Sequence, residues 1–256
     1  AVEYFINYYR IPVSQLLPYD GLVIPFTYFF YKNNNDRPIG EKQKYLEDYF
    51  WRTILTSNFS NSLESKVAQD IKKIDLILND KLPKYDYGVD ISIDGLSYNG
   101  WFSTGKAYIK GLLCLLTYKS PLSFVDNSKV NINNNWLRQA NSKNYHHFFP
   151  KAFLKKKGED VFYINHIANI TIVDDFLNKR LIKDKAPSKY MKSFSKNNEN
   201  LDETMKSHLI NDLESFGVWE NDYDKFFNSR LEAFSRELKK RLIIQKKDIT
   251  KNKVEE

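Results

Sequence analysis

A mostly helical α+β fold is what this chain predicts, and three observations lead there. Apolar residues recur at intervals of three and four over long stretches of the first half and of the tail. β-Branched residues on alternate positions occur only briefly, around residues 169 to 173. Hydrophobic residues at 42% and charged residues at 28% of the 256 positions give the balance of a folded globular chain with a proper core.

Taken in order, the chain opens on a hydrophobic stretch, Tyr4-Phe5-Ile6-Asn7-Tyr8-Tyr9. It starts at Ala1 without an initiator methionine, which predicts a C-terminal fragment of a longer protein. Tyr45, Leu46, Tyr49, Phe50 and Ile54 form one helical stripe. Asn61 and Glu64 have capping-box spacing, and Leu63, Val67, Ile71, Ile74 and Leu78 continue from them as a second stripe. Lys84 to Gly105 carries glycines at 88, 95, 100 and 105 and reads as loop with at most short strands. Ala107 to Leu116 is apolar nearly all round, as a central core helix should be.

An Asn- and Ser-rich connection, Asp126 to Asn144, sets a boundary near residue 127. Beyond it the spacing predicts strand, loop, strand and helix: extended chain over 144–149, a strand over 169–173, and a helix from Asp174 to Lys183 with an acidic start and a basic end. Two further helices follow over about 201–215 and 221–246, the second with Phe227, Leu231, Phe234, Leu238 and Leu242 on one face. The organisation is thus a helical part over 1–127, a small α+β unit over 128–195, and C-terminal helices over 196–256 that pack on the same domain.

Lys and Arg outnumber Asp and Glu by 39 to 32, for a net charge of +7. The resulting pI near 9.1 favours a polyanionic partner, although an Asn-, Lys- and Tyr-rich composition also follows from base-composition bias in coding DNA. The single cysteine, Cys114, lies in Leu112-Leu113-Cys114-Leu115-Leu116 and reads as a buried hydrophobe. An internal disulfide and a cysteine-based zinc knuckle are excluded, and a reducing, cytoplasmic compartment is expected. No apolar run reaches the roughly 18 residues of a membrane helix, and no signal peptide opens the chain, so a membrane partner is not expected.

Four histidines occur in the whole chain, and two of them are adjacent, in Tyr145-His146-His147-Phe148-Phe149-Pro150. Histidine is the side chain whose charge ordinarily changes between about pH 5 and 8, so a neutral imidazole can act as a base at cellular pH. Phosphodiester hydrolysis needs such a base for water and a cation for the charge on the phosphoryl group. His147 is the candidate base. Asn169 and Asn178 follow within about thirty residues, close enough for one supersecondary unit to hold all three. A hard cation needs only one or two protein ligands, and Asn178 with His146 supplies an oxygen and a nitrogen. The imidazole tilts the preference from Mg²⁺ toward Mn²⁺ or another divalent transition metal.

Four segments in order carry a resemblance: His146-His147-Phe148-Phe149-Pro150, Ile167-Ala168-Asn169-Ile170-Thr171, Leu177-Asn178-Lys179-Arg180 and Lys185-Ala186-Pro187-Ser188-Lys189-Tyr190. Together they resemble the HNH, or ββα-metal, endonuclease motif. They are most similar to the C-terminal nuclease domain of GmrSD-type, modification-dependent restriction proteins. Upstream, Tyr49-Phe50-Trp51-Arg52-Thr53-Ile54-Leu55, then Asn58-Phe59-Ser60 and Lys66-Val67-Ala68-Gln69-Asp70-Ile71, are similar to that family's helical region, so the likeness covers roughly residues 20 to 245.

The resemblance implies a helical domain with an embedded ββα-metal finger and a metal-dependent DNA endonuclease or nickase that restricts modified or foreign, phage DNA. It makes His147 the general base, Asn169 the residue that orients its imidazole, and Asn178 and His146 ligands of Mg²⁺ or Mn²⁺. Adjacent residues of a regular strand face opposite ways, so the strand must end or bulge for both histidines to reach one site. Lys151, Lys179, Arg180 and Lys183 are candidates to line a phosphate path, and a solvated basic helix end explains them as well. The motif's final histidine is replaced by Asn178, as the family permits, and no cysteine pair staples the finger. The family's nucleotide-hydrolysing sensor domain, with its Asp-Gly-Gln-Gln-Arg signature, is absent from these residues and is the partner expected in the full-length protein. Alternatives are a catalytically silent DNA-binding or partner-docking module and an RNA-directed nuclease. His166 is expected in a loop or beside the site, and His208 on the surface.

Overall fold

The computed structural model describes residues 1–11, 16–56, 63–132, 145–173 and 182–251. Its elements run α1 (Val2–Asn7), a 3₁₀ turn (Asp20–Leu22), α2 (Val23–Lys32), α3 (Gly40–Ile54), α4 (Leu63–Leu78), α5 (Ile93–Asn99) and α6 (Ala107–Tyr118). They continue with β1 (Tyr145–His147), α7 (Lys151–Lys156), α8 (Val161–Ile164), a second 3₁₀ turn (Ile167–Asn169), β2 (Ile170–Ile172), α9 (Pro187–Ser195), α10 (Leu201–Ser207) and α11 (Tyr223–Lys239). Helix makes up 52% of the structure, and the sheet among the described residues has two strands. The mostly helical α+β class read from periodicity is therefore the class observed.

The stripes become core because their spacing puts one face of each helix on its neighbours. On α3, Leu46, Tyr49, Phe50, Trp51 and Ile54 are all buried, and α3 packs against α4 and α6 while α2 packs against α4. Helix α6 is buried along Leu112–Thr117, so Cys114 is the buried hydrophobe expected, and burial holds its thiol protonated. Complete burial of an aromatic such as Phe26, Phe29 or Phe50 contributes about 2 kcal/mol each. Asn61, the capping residue expected for α4, lies outside the described residues.

Helix α5 departs from the loop expected there. Ser92 caps it, its Oγ accepting from Gly95 N–H at 3.0 Å while donating to Asp90 Oδ1 at 2.6 Å. Gly95 serves space rather than flexibility, since a Cβ there would stand 2.3 Å from the Asp90 carboxylate carbon. The tail helices are shorter than their stripes. Helix α10 stops at His208 because Leu209 turns left-handed (φ 59°) and Ile210 N–H closes back on Met205 O at 3.0 Å.

Helix α11 joins the regions on either side of residue 127. It is capped by Asp222, whose Oδ1 accepts from Lys225 N–H at 3.0 Å, and it packs on both α5 and the second 3₁₀ turn. The chain after α11 is tied back to α3 by a buried ionic knot. Arg52 donates to both oxygens of Asp248 at 2.6 and 3.0 Å and to Ile243 O at 3.0 Å. Asp48 accepts from Ile243 N–H at 2.7 Å, and Asp248 accepts from Val89 N–H at 3.0 Å and Gln245 N–H at 2.7 Å. Each charge is thus paired and its remaining lone pairs are used, the condition for burying ions.

Candidate functional site

Strands β1 and β2 form a short antiparallel ladder in which Tyr145 faces Ile172, His146 faces Thr171 and His147 faces Ile170. The connection expected as loop is folded instead into α7, α8 and the second 3₁₀ turn. Asp160 caps α8 by accepting from Phe162 N–H at 2.7 Å. His166 caps the 3₁₀ turn by accepting from Ala168 N–H through Nδ1 at 3.0 Å. The unit is seated on the helical part by close backbone approach at Gly100, where a Cβ would overlap the His166 ring at 1.9 Å. Around that contact Ile167 N–H donates to Gly100 O at 2.8 Å and Phe102 N–H to Asn165 O at 2.8 Å.

His147, at the end of β1, is half-buried and lies edge-on to Phe102 at 6.5 Å. Its Nε2 is 3.1 Å from Asn165 Oδ1. The Asn165 Nδ2 donates to Phe102 O at 3.1 Å, which fixes the amide so that its oxygen faces the ring. Nε2 must then carry the hydrogen, and the lone pair is left on Nδ1. Burial, and secondarily the Lys151 ammonium, lower the His147 pKa to about 4, so the ring is neutral at cellular pH. Asn165 is the residue that sequence reasoning missed. Nothing in Tyr163-Ile164-Asn165-His166 separates it from an ordinary turn asparagine.

His146 faces the other way. No bulge interrupts the ladder, so alternation sends its ring across β1 from His147. There Nδ1 lies 3.3 Å from Thr171 Oγ1, and the ring packs edge-on to Phe124 and Tyr190 at 6.3 and 6.2 Å. Only 3% of the residue is exposed, and burial holds its pKa down near 3. In this arrangement His146 and His147 do not converge on one ligand.

Asn169 is fully buried and braces the turn after β1 instead of the imidazole. Its Oδ1 accepts from Phe149 N–H at 2.8 Å, and Nδ2 donates to Phe149 O at 3.0 Å and Ile164 O at 3.1 Å. Both amide hydrogens are thereby used, and the imidazole partner is Asn165. Tyr190 of α9 adds a hydroxyl bond to Phe148 O. Beneath β2, Arg230 of α11 donates to Ile170 O at 2.8 Å and to His208 O. His166 is beside the site as expected, fully buried, with Nε2 bonded to Ser97 O at 3.0 Å and the ring 4.7 Å from Phe227. His208 is not at the surface. It is 1% exposed, and its Nε2 bonds Leu122 O at 2.8 Å.

No family model matches the chain. It is 29% identical over 247 residues to an uncharacterized protein of Methanocaldococcus jannaschii, a match that covers 90% of this chain and 40% of that protein. The chain therefore spans less than half the length of the curated relative it matches. No solved structure matches.

The remaining expected residues divide by position. Asn178, Lys179 and Arg180 lie outside the described residues. Lys151 opens α7 and is exposed, two of its helix-mates, Lys155 and Lys156, are exposed as well, and Lys183 is exposed in a left-handed turn (φ 55°). Lys156 meets Asp184 at 3.9 Å, but both side chains are mostly in solvent, so the pair neutralises little of this basic edge. Among the described residues no group of three or more His, Cys, Asp and Glu side chains could hold a metal ion, and no helix is long and apolar enough to cross a membrane.

Proposed function

We propose that this chain is the nuclease part of a DNA endonuclease or nickase of the HNH type, with His147 as the general base. The observation that carries the reading is the His147–Asn165 pair, which leaves Nδ1 as the proton acceptor on a ring kept neutral by burial. In the proposed step Nδ1 takes a proton from water as the water oxygen attacks phosphorus, and the P–O bond to the sugar breaks with its electron pair on the sugar oxygen, which takes a proton from solvent. Asn169 serves by holding the turn at Phe149 that ends the His147 strand. Lys151 at the start of α7 and Lys183 are exposed to line the approach of the phosphate backbone, a role to which the sequence adds Lys179 and Arg180. A divalent cation, Mg²⁺ or Mn²⁺, belongs to the proposal through Asn178. His146, turned into the core across β1 from His147, carries no ligand role in this reading. The full-length protein would couple this unit to a nucleotide-hydrolysing sensor domain in restriction of modified or phage DNA, in the cytoplasm.

A second reading is favoured by that same orientation of His146: a silent DNA-binding or partner-docking module that keeps the scaffold and works through its basic edge. The test is a supercoiled-plasmid assay on the full-length protein with Mg²⁺, with Mn²⁺ and with EDTA, beside an RNA substrate. Cleavage is expected with metal and at least about 100-fold less in His147→Ala. Equal cleavage by wild type and His147→Ala would overturn the assignment. Salt-sensitive binding without cleavage selects the silent module, and faster cutting of RNA selects the RNA-directed nuclease.

A further inference from the structure

A second feature of the surface shares no residue with the His147 neighbourhood. A cavity of about 440 Å³ is lined by Tyr8, Arg10, Arg37, Tyr118, Lys119 and Arg241, together with one asparagine and no carboxylate. Its size is in the range of small-ligand pockets. Four cations with no anion in the lining raise one another's energy unless an anion joins them. Carboxylates just outside the lining offset this for Lys119 and Arg241 in part and leave Arg10 and Arg37 uncompensated. Glu237 is shared by Lys119, Lys240 and Arg241 at 3.7, 2.7 and 3.0 Å, three cations on one carboxylate. Glu47 accepts from the Tyr8 hydroxyl at 3.2 Å, and burial raises its pKa. Arg10 and Arg37 have no ion-pair partner among the described residues.

The backbone holds these cations in place. Arg10 has φ 55° and Ser120 has φ 53°, a region that residues other than glycine adopt at a cost. The two meet through an Arg10 Nη1–Ser120 Oγ hydrogen bond, and Arg10 Nη1 also donates to Tyr118 O at 3.0 Å. Aromatic rings seat the guanidiniums: Arg10 lies 5.9 Å and Arg241 4.7 Å from the Tyr118 centroid, and Arg37 lies 5.9 Å from that of Tyr8. Guanidinium forks held in this way are pre-organised for phosphate oxygens.

We infer that this cavity is an anion site for a phosphate or polyphosphate group, with Arg10 and Arg37 as its principal ligands. The phosphate can come from a free polyphosphate compound or from a nucleic-acid strand, and two probes separate these sources. Inorganic tripolyphosphate, followed by calorimetry, and a fluorescent single-stranded oligonucleotide, followed by anisotropy, are titrated into the full-length protein and into Arg10→Gln/Arg37→Gln. Lys196→Gln removes a charge from an exposed site elsewhere and controls for net charge. At least one probe is expected to bind wild type and to weaken about tenfold or more in the double variant, with Lys196→Gln within about twofold. Tripolyphosphate binding identifies a free polyphosphate group as sufficient; oligonucleotide binding without it identifies a strand phosphate. If circular dichroism shows the double variant unfolded, Arg37→Gln alone is read, because that side chain is exposed and packs on the face of the Tyr8 ring. Failure of both probes to bind wild type, or an equal loss in Lys196→Gln, overturns the site while leaving the plasmid assay unaffected.

Discussion

Replacing Asn169 with alanine tests whether this residue braces the turn or tunes the imidazole. The substitution removes three buried hydrogen bonds, to Phe149 N–H, Phe149 O and Ile164 O. Both flanking residues are buried, Phe149 completely and Ile164 to within 1%. Each orphaned backbone group costs about 1–3 kcal/mol, so independent losses would sum to roughly 3–9 kcal/mol. Water entering the space of the deleted amide can restore one or two of these bonds, which brings the expected loss to about 3–5 kcal/mol. Urea unfolding followed by tryptophan fluorescence measures it, with an unchanged slope against denaturant showing that the native state stays compact. A residue acting only on His147 would lower catalysis and leave stability alone. A loss below about 1 kcal/mol would therefore refute the brace.

Three further outcomes are expected. Asn165→Asp puts a carboxylate where Oδ1 now accepts from His147 Nε2, so the His147 pKa should rise by about 1–3 from its value near 4, as read from imidazole proton shifts against pH. Arg52→Ala leaves Asp48 and Asp248 buried without their cation and should cost about 3–5 kcal/mol in urea unfolding; a double variant that also replaces Asp248 by Asn should recover part of it. Acid should destabilise the fold through the fully buried His146, His166 and His208, whose pKa values are lowered by burial to about 3, 4 and 4. From about pH 6.5 down to about pH 4 the unfolded chain takes up protons that the folded chain refuses, so each ring withdraws about 1.4 kcal/mol per pH unit. A urea midpoint that stays constant between pH 7 and 5 would contradict this burial.

The parts of the fold legible in the sequence are those where one period governs many residues. The stripe Leu46, Tyr49, Phe50, Ile54 and the run Leu112–Leu116 name their helices because burial selects residue type at each turn. Helix α5 was hidden by the opposite circumstance. Gly95 and Gly100 look like breakers, yet each is demanded by a spatial neighbour that lies off the helix or far along the sequence, the Asp90 carboxylate and the His166 ring. The ends of α10 and α11 were illegible for a related reason. Leu209 ends a helix by its dihedral angle, and no property of leucine announces that. Nor does composition show that His208, in a polar stretch, lies under Leu122.

The candidate site was legible in its residue types and less so in their directions. Scarcity drew attention to His146 and His147, but what separates them is strand alternation: one register gives His147 the Asn165 amide and sends His146 to Thr171 and Tyr190. That division makes His147 depend on a residue outside the motif. Asn165 in turn is oriented by Phe102, in the segment whose glycine admits the His166 ring. The lone pair on His147 Nδ1 is therefore set by contact between the strand unit and the helical part. A Gly100→Ala substitution should accordingly disturb the imidazole from a distance, displacing residues 165–167 and with them the hydrogen bond that fixes the tautomer. An unchanged His147 tautomer by ¹⁵N NMR in a folded Gly100→Ala protein would show the two parts to be independent.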